Sequence, residues 1–305
     1  MSEPARAIAG GDAARRAEGP WTVLSLILWS ADYLAEKGVE HGRLDAEHLL
    51  AHALGTTRLQ LYLQFDRPVN AGELAVFKPL LLRRAKREPL QYVIGRAAFR
   101  ELELAVDRRV LIPRPETEVL VDVVLEWVRS RGREDYSALD LGTGSGCIAL
   151  SLLTEGPFAR VVATDASADA LAVASANAQK AGLADRLDAR PGSLWEPLAA
   201  DERFDVIVSN PPYVGQEEAS ALEPEVRDWE PPSALFAGPG GLVVLNEIVD
   251  GAAERLRPGG LLALEVGLGQ SGPVAERLVA VGGFGEARVR RDLTGRPRIV
   301  CAERG

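Results

Sequence analysis

The sequence contains little cysteine and no long apolar run. Its 305 residues include two cysteines, too few for a disulfide framework or for a zinc site built from cysteines. We therefore expect the protein to work in a reducing compartment, and the cytoplasm is the predicted location. The most apolar stretch near the N-terminus, residues 23–29, spans about seven residues, whereas about 20 are needed to cross a bilayer. The sequence therefore predicts no membrane anchor.

The chain also has fewer basic than acidic residues. The chain has 35 lysines and arginines against 44 aspartates and glutamates, a formal net charge of −9, and aromatic residues make up 6%. General nucleic-acid binders carry a basic excess that neutralises phosphates, and enzymes that act on a base need aromatic stacking surfaces. The composition therefore argues against a nucleic-acid substrate, although it leaves room for a local basic patch. With 47% apolar and 26% charged residues, the chain is typical of a globular protein.

The first part of the chain divides into three segments by pattern. Residues 1–20 predict a disordered leader, because their acidic residues argue against a transit peptide and no apolar core follows. Apolar residues recur at helical spacing over residues 21–88, which predicts a small helical bundle with helices that end near glycines such as Gly42. The β-rich runs within residues 89–113, starting at Tyr92, predict a β-hairpin linker.

Residues 114–305 predict an α/β domain. Pro115 opens a helix, since proline suits the first helical turn and Glu116 and Glu118 lie near the positive end of the helix dipole. Beyond that helix, short apolar strands alternate with helices as far as a closing pair of strands. This alternation predicts a doubly wound sheet of mostly parallel strands.

A glycine-rich turn follows the first predicted strand of this domain. The run DLGTGSG carries glycines at positions 142, 144 and 146, and such a turn lets a ligand approach the backbone and the N–H groups at a helix start. A dinucleotide fingerprint would need its third glycine at position 147, where the chain has Cys147. The G-x-G-x-G spacing after an acidic strand end instead resembles the first motif of class I S-adenosylmethionine methyltransferases. For this motif alone, a purely structural turn is the alternative.

Two further loops at strand ends suit the same ligand. Asp165 ends the next strand, where its carboxylate can accept both ribose hydroxyls of a nucleoside. The alternative is that Asp165 caps the helix that follows. Ser193 and Leu194 come after the third strand, where adenine would meet a backbone or apolar edge.

The sequence NPPY, residues 210–213, directly follows the strand FDVIVS. Two successive prolines remove two backbone N–H donors and leave carbonyl acceptors at the carboxyl end of the sheet. A planar NH₂ group donates two hydrogens, and Asn210 Oδ1 and the Pro211 carbonyl can accept both, which fixes the nitrogen against a methyl donor. Tyr213 would pack against the flat group. The motif predicts methylation of an amide or of an exocyclic base amine, with a proline turn without function as the alternative.

The NPPY motif resembles amino-methyltransferases in general, and the rest of the chain is similar to one family. This family is the protein-(glutamine-N5) methyltransferases that modify peptide-chain release factors. The similarity covers about residues 40–302 and is carried by the runs DAEHLLAHALG, REPLQYVIG, VLIPRPETEVLV, DLGTGSGCIAL, SNPPY, EPPSAL, GGLVVLNEI, LRPGGLLALEVG and RDLTGRPRIV.

The resemblance implies a Rossmann-like class I methyltransferase domain, with a seven-stranded, mostly parallel sheet, and a small N-terminal helical bundle that docks the substrate. It also implies a cytoplasmic enzyme that uses S-adenosyl-L-methionine, leaving S-adenosyl-L-homocysteine. The implied reaction is methylation of the side-chain amide nitrogen of the glutamine in the GGQ motif of class 1 release factors, with no nucleic-acid substrate.

By the same resemblance, one set of residues contacts the cofactor: Gly142, Thr143, Gly144, Ser145, Gly146, Asp165, Ser193, Leu194 and Asn210. A second set is catalytic and holds the glutamine: Asn210, Pro211, Pro212 and Tyr213. Ser193 stands where many relatives carry aspartate, so an acidic partner for the adenine amine is not implied here.

Two other functions remain as alternatives. An adenine-N6 nucleic-acid methyltransferase would act on the same kind of conjugated NH₂ group, and a non-catalytic S-adenosylmethionine-binding regulator would have no need for NPPY. No metal site is predicted, because His48 and His52 lack the glutamate spacing of zinc proteases. Cys147, among apolar neighbours, is expected to be a small core residue.

Two segments of the chain carry charge mostly of one sign. Residues 78–114 hold ten basic against four acidic residues, which predicts either a docking surface for an acidic protein partner or a solvated face. The acidic, proline-punctuated residues 217–230 follow NPPY and predict either a rim of the substrate channel or a surface loop.

Overall fold

The computed structural model describes residues 20–305, so the predicted leader, apart from Pro20, lies outside the described residues. Contacts divide the chain into two compact units, one ending at Ile94 and the other covering Gly95–Gly305. The segment limits predicted from the sequence, 21–88, 89–113 and 114–305, remain predictions. Within the described part of the chain, no helix combines the length and the apolar character that a membrane span requires.

Residues 20–94 form five helices around one apolar core. Three of the helices begin with a capping box, in which Thr22, Thr57 or Asn70 accepts a hydrogen bond from the backbone N–H three residues on. The helices are α1 (Val23–Glu36), α2 (Gly42–Ala53), α3 (Arg58–Tyr62), α4 (Ala71–Arg84) and α5 (Leu90–Ile94).

The predicted helix end at Gly42 is wrong. Gly42 is the first residue of α2. A Cβ on Gly42 would lie 2.7 Å from the carbonyl oxygen of Ala31 in α1, so glycine permits a close approach of the two helices. The local pattern did not reveal this because the contact belongs to packing between helices.

A two-stranded hairpin opens the second unit. Strand β1 (Arg96–Phe99) pairs antiparallel with β2 (Leu102–Ala105). The hairpin therefore starts four residues after the predicted strand start at Tyr92, which is in α5 instead. Tyr92 and Val93 are buried, and Val93 belongs to the helical core of the first unit. Packing has overridden the β propensity of these residues.

The core of the second unit is a seven-stranded sheet, as predicted. Its first five strands run parallel, and the last strand in the chain runs antiparallel to both of its neighbours. The order across the sheet is β5-β4-β3-β6-β7-β9-β8. The strands are β3 (Tyr136–Leu141), β4 (Phe158–Asp165), β5 (Leu187–Pro191), β6 (Phe204–Ser209), β7 (Leu256–Glu265), β8 (Arg288–Arg291) and β9 (Pro297–Glu303).

Helices cover both faces of this sheet and bury its central strands. The α-helices of the second unit are α6 (Pro115–Arg131), α7 (Cys147–Glu155), α8 (Ala168–Lys180), α9 (Pro224–Arg227), α10 (Pro232–Leu235), α11 (Val243–Arg255) and α12 (Ser271–Val281). Helices α6, α7 and α8 pack on one face, and α11 and α12 pack on the other. From β3 the chain builds toward β4 on one side and later adds β6 on the other, so the strand order reverses between β3 and β6. Sheets of this kind bind ligands at the carboxyl ends of the strands beside such a reversal.

Candidate active site

The glycine turn after β3 opens onto a cavity. Gly142, Gly144 and Gly146 have φ angles of +71°, +55° and +83°, in the left-handed region that favours glycine. A Cβ at Gly142 or Gly144 would meet no atom of residues 20–305 within 4 Å, whereas one at Gly146 would lie 3.3 Å from the Cβ of Ala174. The first two glycines therefore leave room for a ligand beside the backbone. The third allows α7 to start close to α8.

Asp140, at the end of β3, holds this turn in place. Its Oδ2 accepts hydrogen bonds from Thr143 Oγ1 at 2.7 Å and from the Ala149 N–H at 3.2 Å. The side chain is fully buried, and its Oδ1 has no hydrogen-bond partner among residues 20–305. Burial raises the pKa of Asp140 to about 7. The carboxyl is therefore a structural support whose charge changes near neutral pH.

Asp165, at the end of β4, is bonded to the same turn. Its Oδ2 accepts from the Gly144 N–H at 2.9 Å and its Oδ1 from the Ser167 N–H at 2.8 Å. The side chain that caps α8 is that of Ser167, which accepts from the Ala170 N–H. A carboxylate has about four acceptor positions, so Asp165 keeps acceptors for a ligand in the cavity that it lines.

Asn210 follows β6 at the neighbouring strand end. Its Nδ2 donates to Thr117 Oγ1 at 3.0 Å. Asn210 lines the cavity, and its Oδ1 accepts no hydrogen bond from the described residues 20–305. The amide is thus held through its nitrogen while its oxygen stays available to a ligand.

Glu265, at the end of β7, bonds directly to Tyr213, the last residue of the NPPY motif, and through Thr117 to Asn210, the first. Its Oε2 accepts from Thr117 Oγ1 at 2.7 Å, and its Oε1 accepts from the Tyr213 hydroxyl at 3.3 Å. Burial raises the pKa of Glu265 to about 7, against the lowering effect of Thr117 and Arg298. Burial, together with the Glu265 charge, also raises the pKa of Tyr213, so this phenol stays protonated at neutral pH.

These elements surround one cavity of about 370 Å³, a size typical of small-molecule sites. Nine of the predicted site residues line it: Gly142, Thr143, Gly144, Ser145, Asp165, Ser193, Leu194, Asn210 and Pro212. Three do not, namely Gly146, Pro211 and Tyr213. Gly146 packs against α8, and the Tyr213 hydroxyl is bonded to Glu265.

Two segments that the sequence did not assign to the site complete the cavity wall. Residues 109–114 follow the hairpin, and residues 231–234 follow the predicted acidic rim. Arg114 Nη2 in the first segment forms an ion pair at 2.6 Å with the Oε1 of Glu230, the residue just before the second segment. The guanidinium of Arg108 also lies 4.0 Å from the ring centroid of Trp229. The wall is therefore closed by contacts between a basic and an acidic stretch.

The basic side chains of residues 78–114 form ion pairs largely within their own unit. Buried Arg84 pairs with Asp45 at 2.6 Å, and Arg83 pairs with Glu88 at 2.6 Å. In the second unit, Arg100 pairs with Glu155 at 2.7 Å. These ion pairs favour a structural role over a free docking surface.

Other functional candidates differ in how well the sequence revealed them. Glu265 is visible in the sequence as an acid that ends the apolar strand LLALE. No sequence pattern singles out Thr117. Asn177 was also missed, although its Nδ2 donates to the Ser145 carbonyl at 2.9 Å and so braces the glycine turn. Cys147 lines the cavity, but burial raises its pKa to about 12, so the thiol stays protonated and unreactive.

Comparison with known proteins defines the class. One family model, the PrmC N-terminal domain, matches residues 25–95, and another, the methyltransferase small domain, matches residues 117–224. The crystal structure of a methyltransferase from Pyrococcus furiosus has the same fold, with a TM-score of 0.51 at 18% identity over 67% of this chain and 90% of its own. The seven-stranded sheet is that of a class I, S-adenosylmethionine-dependent methyltransferase.

Relatives of higher sequence identity point to one family within this class. A release factor glutamine methyltransferase from Geobacter sulfurreducens is 45% identical over 280 residues, 92% of this chain and 96% of the relative. Another from Rhodopirellula baltica is 38% identical over 290 residues, 93% of this chain and 97% of the relative. The chain belongs to the release factor glutamine methyltransferase family.

Proposed function

We propose that this protein methylates the side-chain amide nitrogen of the glutamine in the GGQ motif of class 1 peptide-chain release factors. The proposal rests on the amide of Asn210 at the cavity. Thr117 holds its nitrogen, and its oxygen accepts no hydrogen bond from the part of the chain that the structure describes. A fixed acceptor in this position suits a substrate that presents an NH₂ group. Family membership supports a release factor as the carrier of that group.

The residues around the glycine turn fit S-adenosylmethionine as the cofactor. Gly142 and Gly144 leave space beside the backbone, Asp165 keeps acceptors for ribose hydroxyls, and Leu194 offers adenine an apolar contact. When bound, the cofactor supplies an electrophilic methyl group. The proposed contacts are Gly142, Thr143, Gly144, Ser145, Asp165, Ser193, Leu194 and Asn210, and Gly146 supports the turn through packing.

The NPPY motif orients the nitrogen that is methylated. An amide nitrogen is a poor nucleophile because its lone pair is delocalised. Asn210 Oδ1 accepts one of its hydrogens, and the carbonyl of Pro211, which stands between the cavity-lining residues Asn210 and Pro212, accepts the other. The nitrogen is thereby held in one orientation. The same two oxygens stabilise positive charge that develops on the nitrogen. Pro212 lines the substrate end of the cavity, and Tyr213 anchors the motif through its bond to Glu265.

The first unit takes part in docking the release factor in this proposal. Leu59 and Leu63 are 70% and 78% exposed. They are four residues apart at α3, so they lie on one side of that turn. Exposed apolar side chains that cluster in this way are typical of interaction surfaces. We place the reaction in the cytoplasm because translation ends there.

Mass spectrometry of a full-length class 1 release factor, incubated with the enzyme and S-adenosylmethionine, tests the proposal. We expect one added methyl group on the GGQ glutamine, and none on a release factor that carries glutamate at that position. Adenine-containing DNA and RNA oligonucleotides serve as competing substrates. Methylation of adenine alone would identify a nucleic-acid enzyme, and cofactor binding without transfer to any substrate would identify a regulator.

A further inference from the structure

Three side chains form a hydrogen-bonded series that starts at Asn210. Asn210 Nδ2 donates to Thr117 Oγ1 at 3.0 Å, and Thr117 Oγ1 donates to Glu265 Oε2 at 2.7 Å. Thr117 is 2% and Glu265 1% exposed, so both depend on partners from within the fold. The three residues come from the first turn of α6, the end of β6 and the end of β7.

The series has a direction that depends on the charge of Glu265. A threonine hydroxyl has one hydrogen to donate, and an ionised carboxylate can only accept. Thr117 must therefore give its hydrogen to ionised Glu265, and it can then only accept from Asn210. The NH₂ group of Asn210 consequently faces Thr117, which leaves Oδ1 for the cavity.

Protonation of Glu265 removes this constraint. A protonated carboxyl can donate to Thr117, which frees the hydroxyl hydrogen for an amide oxygen. Asn210 can then rotate its amide by half a turn, so that its NH₂ group meets the NH₂ group of the substrate. Two donors facing each other form no hydrogen bond, and the oriented acceptor is lost.

We propose that Thr117 and Glu265 are positioning residues, which keep the Asn210 oxygen directed at the substrate amide as long as Glu265 is ionised. This inference rests on the proposed function, because it assigns the orientation of the acceptor that the function needs. Thr117 lines the cavity, but neither residue bonds to the substrate in this scheme. Both act through Asn210.

The groups around Glu265 bring its pKa close to neutral pH. The groups that act on it are Arg298 from β9, Glu116 from α6, the Tyr213 hydroxyl and the Cys147 thiol of α7. Only Arg298 among these is cationic, and burial outweighs it, which raises the pKa of Glu265 to about 7. Glu265 is therefore ionised above neutral pH and loses its charge below it.

The first experiment compares Thr117→Val with Thr117→Ser. Valine has nearly the shape of threonine without the hydroxyl, and serine keeps the hydroxyl. We expect single-turnover methylation of the release factor to slow about 10- to 100-fold in Thr117→Val and to stay within about threefold of the parent in Thr117→Ser. Cofactor affinity and the KM for release factor should change little in both. Equal rates for the two variants would overturn the proposal.

The second experiment follows the pH dependence of the parent protein and compares it with Glu265→Gln. In the parent, kcat should fall about tenfold between pH 8 and pH 6, as expected for a group that must be ionised, and Glu265→Gln should be slower at pH 8 but lack this fall. The side-chain amide NMR signals of Asn210, identified by their loss in Asn210→Asp, should shift with a midpoint near neutral pH in the cofactor-free parent and not in Glu265→Gln. Amide signals that stay constant from pH 6 to pH 8 in the parent would refute the inference.

The two proposals fail in different ways. A parent protein that adds no methyl group to the release factor contradicts the proposed function, whatever the NMR titration shows. An active parent with a constant Asn210 amide signal, or an active Thr117→Val variant that matches Thr117→Ser, contradicts the positioning role alone.

Discussion

The Asp165 carboxylate accepts a hydrogen bond from the Gly144 backbone N–H at 2.9 Å. This bond joins the end of β4 to the turn after β3, and the two strands are neighbours in the sheet. Asp165 therefore shapes the glycine turn and also lines the cavity into which the turn opens. Loss of its carboxylate should weaken cofactor binding in two ways, through the ligand's hydroxyls and through the turn itself.

Replacement of Asp165 or Gly144 should weaken S-adenosylmethionine binding. Asp165→Ala removes acceptors and should cost about 1–3 kcal/mol of binding free energy. Gly144→Ala places a methyl group in space that the protein leaves open, at a φ of +55° that disfavours alanine. Isothermal titration calorimetry measures both, and Asp169→Ala, an exposed acid of α8 outside the cavity, is the control. Parental affinity in both site variants would remove the assigned cofactor site.

Replacement of Asn210 should affect the chemical step more than binding of the release factor. Asn210→Ala removes one oriented acceptor, and turnover should fall on the order of 10²- to 10³-fold. Asn210→Asp should also be slow, since the added negative charge stabilises the cationic cofactor more than the transition state, where that charge is being dispersed. Single-turnover methylation followed by mass spectrometry measures the rates.

Asn246→Ala is the matched control for this pair, because Asn246 lies on α11 and does not line the cavity. It should methylate the release factor at the parental rate. A near-parental rate for Asn210→Ala itself would contradict the proposed hold on the substrate amide.

Asp140→Asn should change how stability depends on pH. The pKa of Asp140 in the folded protein, about 7, is above the value of about 3.9 in an unfolded chain. The folded state therefore binds more protons between these values, and the free energy of unfolding contributed by Asp140 falls as the pH rises through this window. Asparagine does not ionise and can still accept from Thr143 and the Ala149 N–H.

Urea unfolding of parent and variant at several pH values from 4 to 8 checks this prediction. We expect the parent to lose stability relative to Asp140→Asn as the pH rises, with the difference becoming constant above about pH 7. Glu265 contributes in the same direction but is present in both proteins, so it cancels in the difference. A stability difference that does not vary with pH would show that Asp140 does not titrate in this range.

The exposed leucines Leu59 and Leu63 of the first unit should affect binding of the release factor and not the chemical step. The double change Leu59→Ser and Leu63→Ser removes two apolar contacts, and we expect the KM for the release factor to rise about tenfold at unchanged kcat. Val279→Ser is the control, since Val279 is 77% exposed on α12 of the other unit. If the double variant and this control have the same KM as the parent, α3 is not part of the docking surface.

Sequence alone was sufficient for the sheet and for nine of the residues that line the candidate cavity. Gly144, Asp165 and Asn210 each follow a strand whose apolar run is legible in the sequence. The carboxyl ends of parallel strands meet at one edge, so these three positions converge without further information. The family resemblance rests on the same runs, and the comparisons bear it out.

Local sequence was a poorer guide wherever a residue serves a distant contact. Gly42 lies so close to Ala31 of α1 that a larger side chain would clash there, and Val93 packs into the first unit's core from within a helix. Arg84 counted as surface charge in the sequence, but its ion pair with Asp45, 39 residues earlier, is buried. Each case depends on packing energy from outside the local segment, which outweighs propensity.

The sequence by itself therefore determined the parallel sheet, the order of its loops and the acceptor at Asn210. Only the tertiary structure decided which way that acceptor points. Asn210 is 93 residues from Thr117, and Thr117 is 148 residues from Glu265, so no local pattern links them. The direction of a hydrogen bond depends on which donors and acceptors lie within about 3 Å of each other, and here folding alone brings them together.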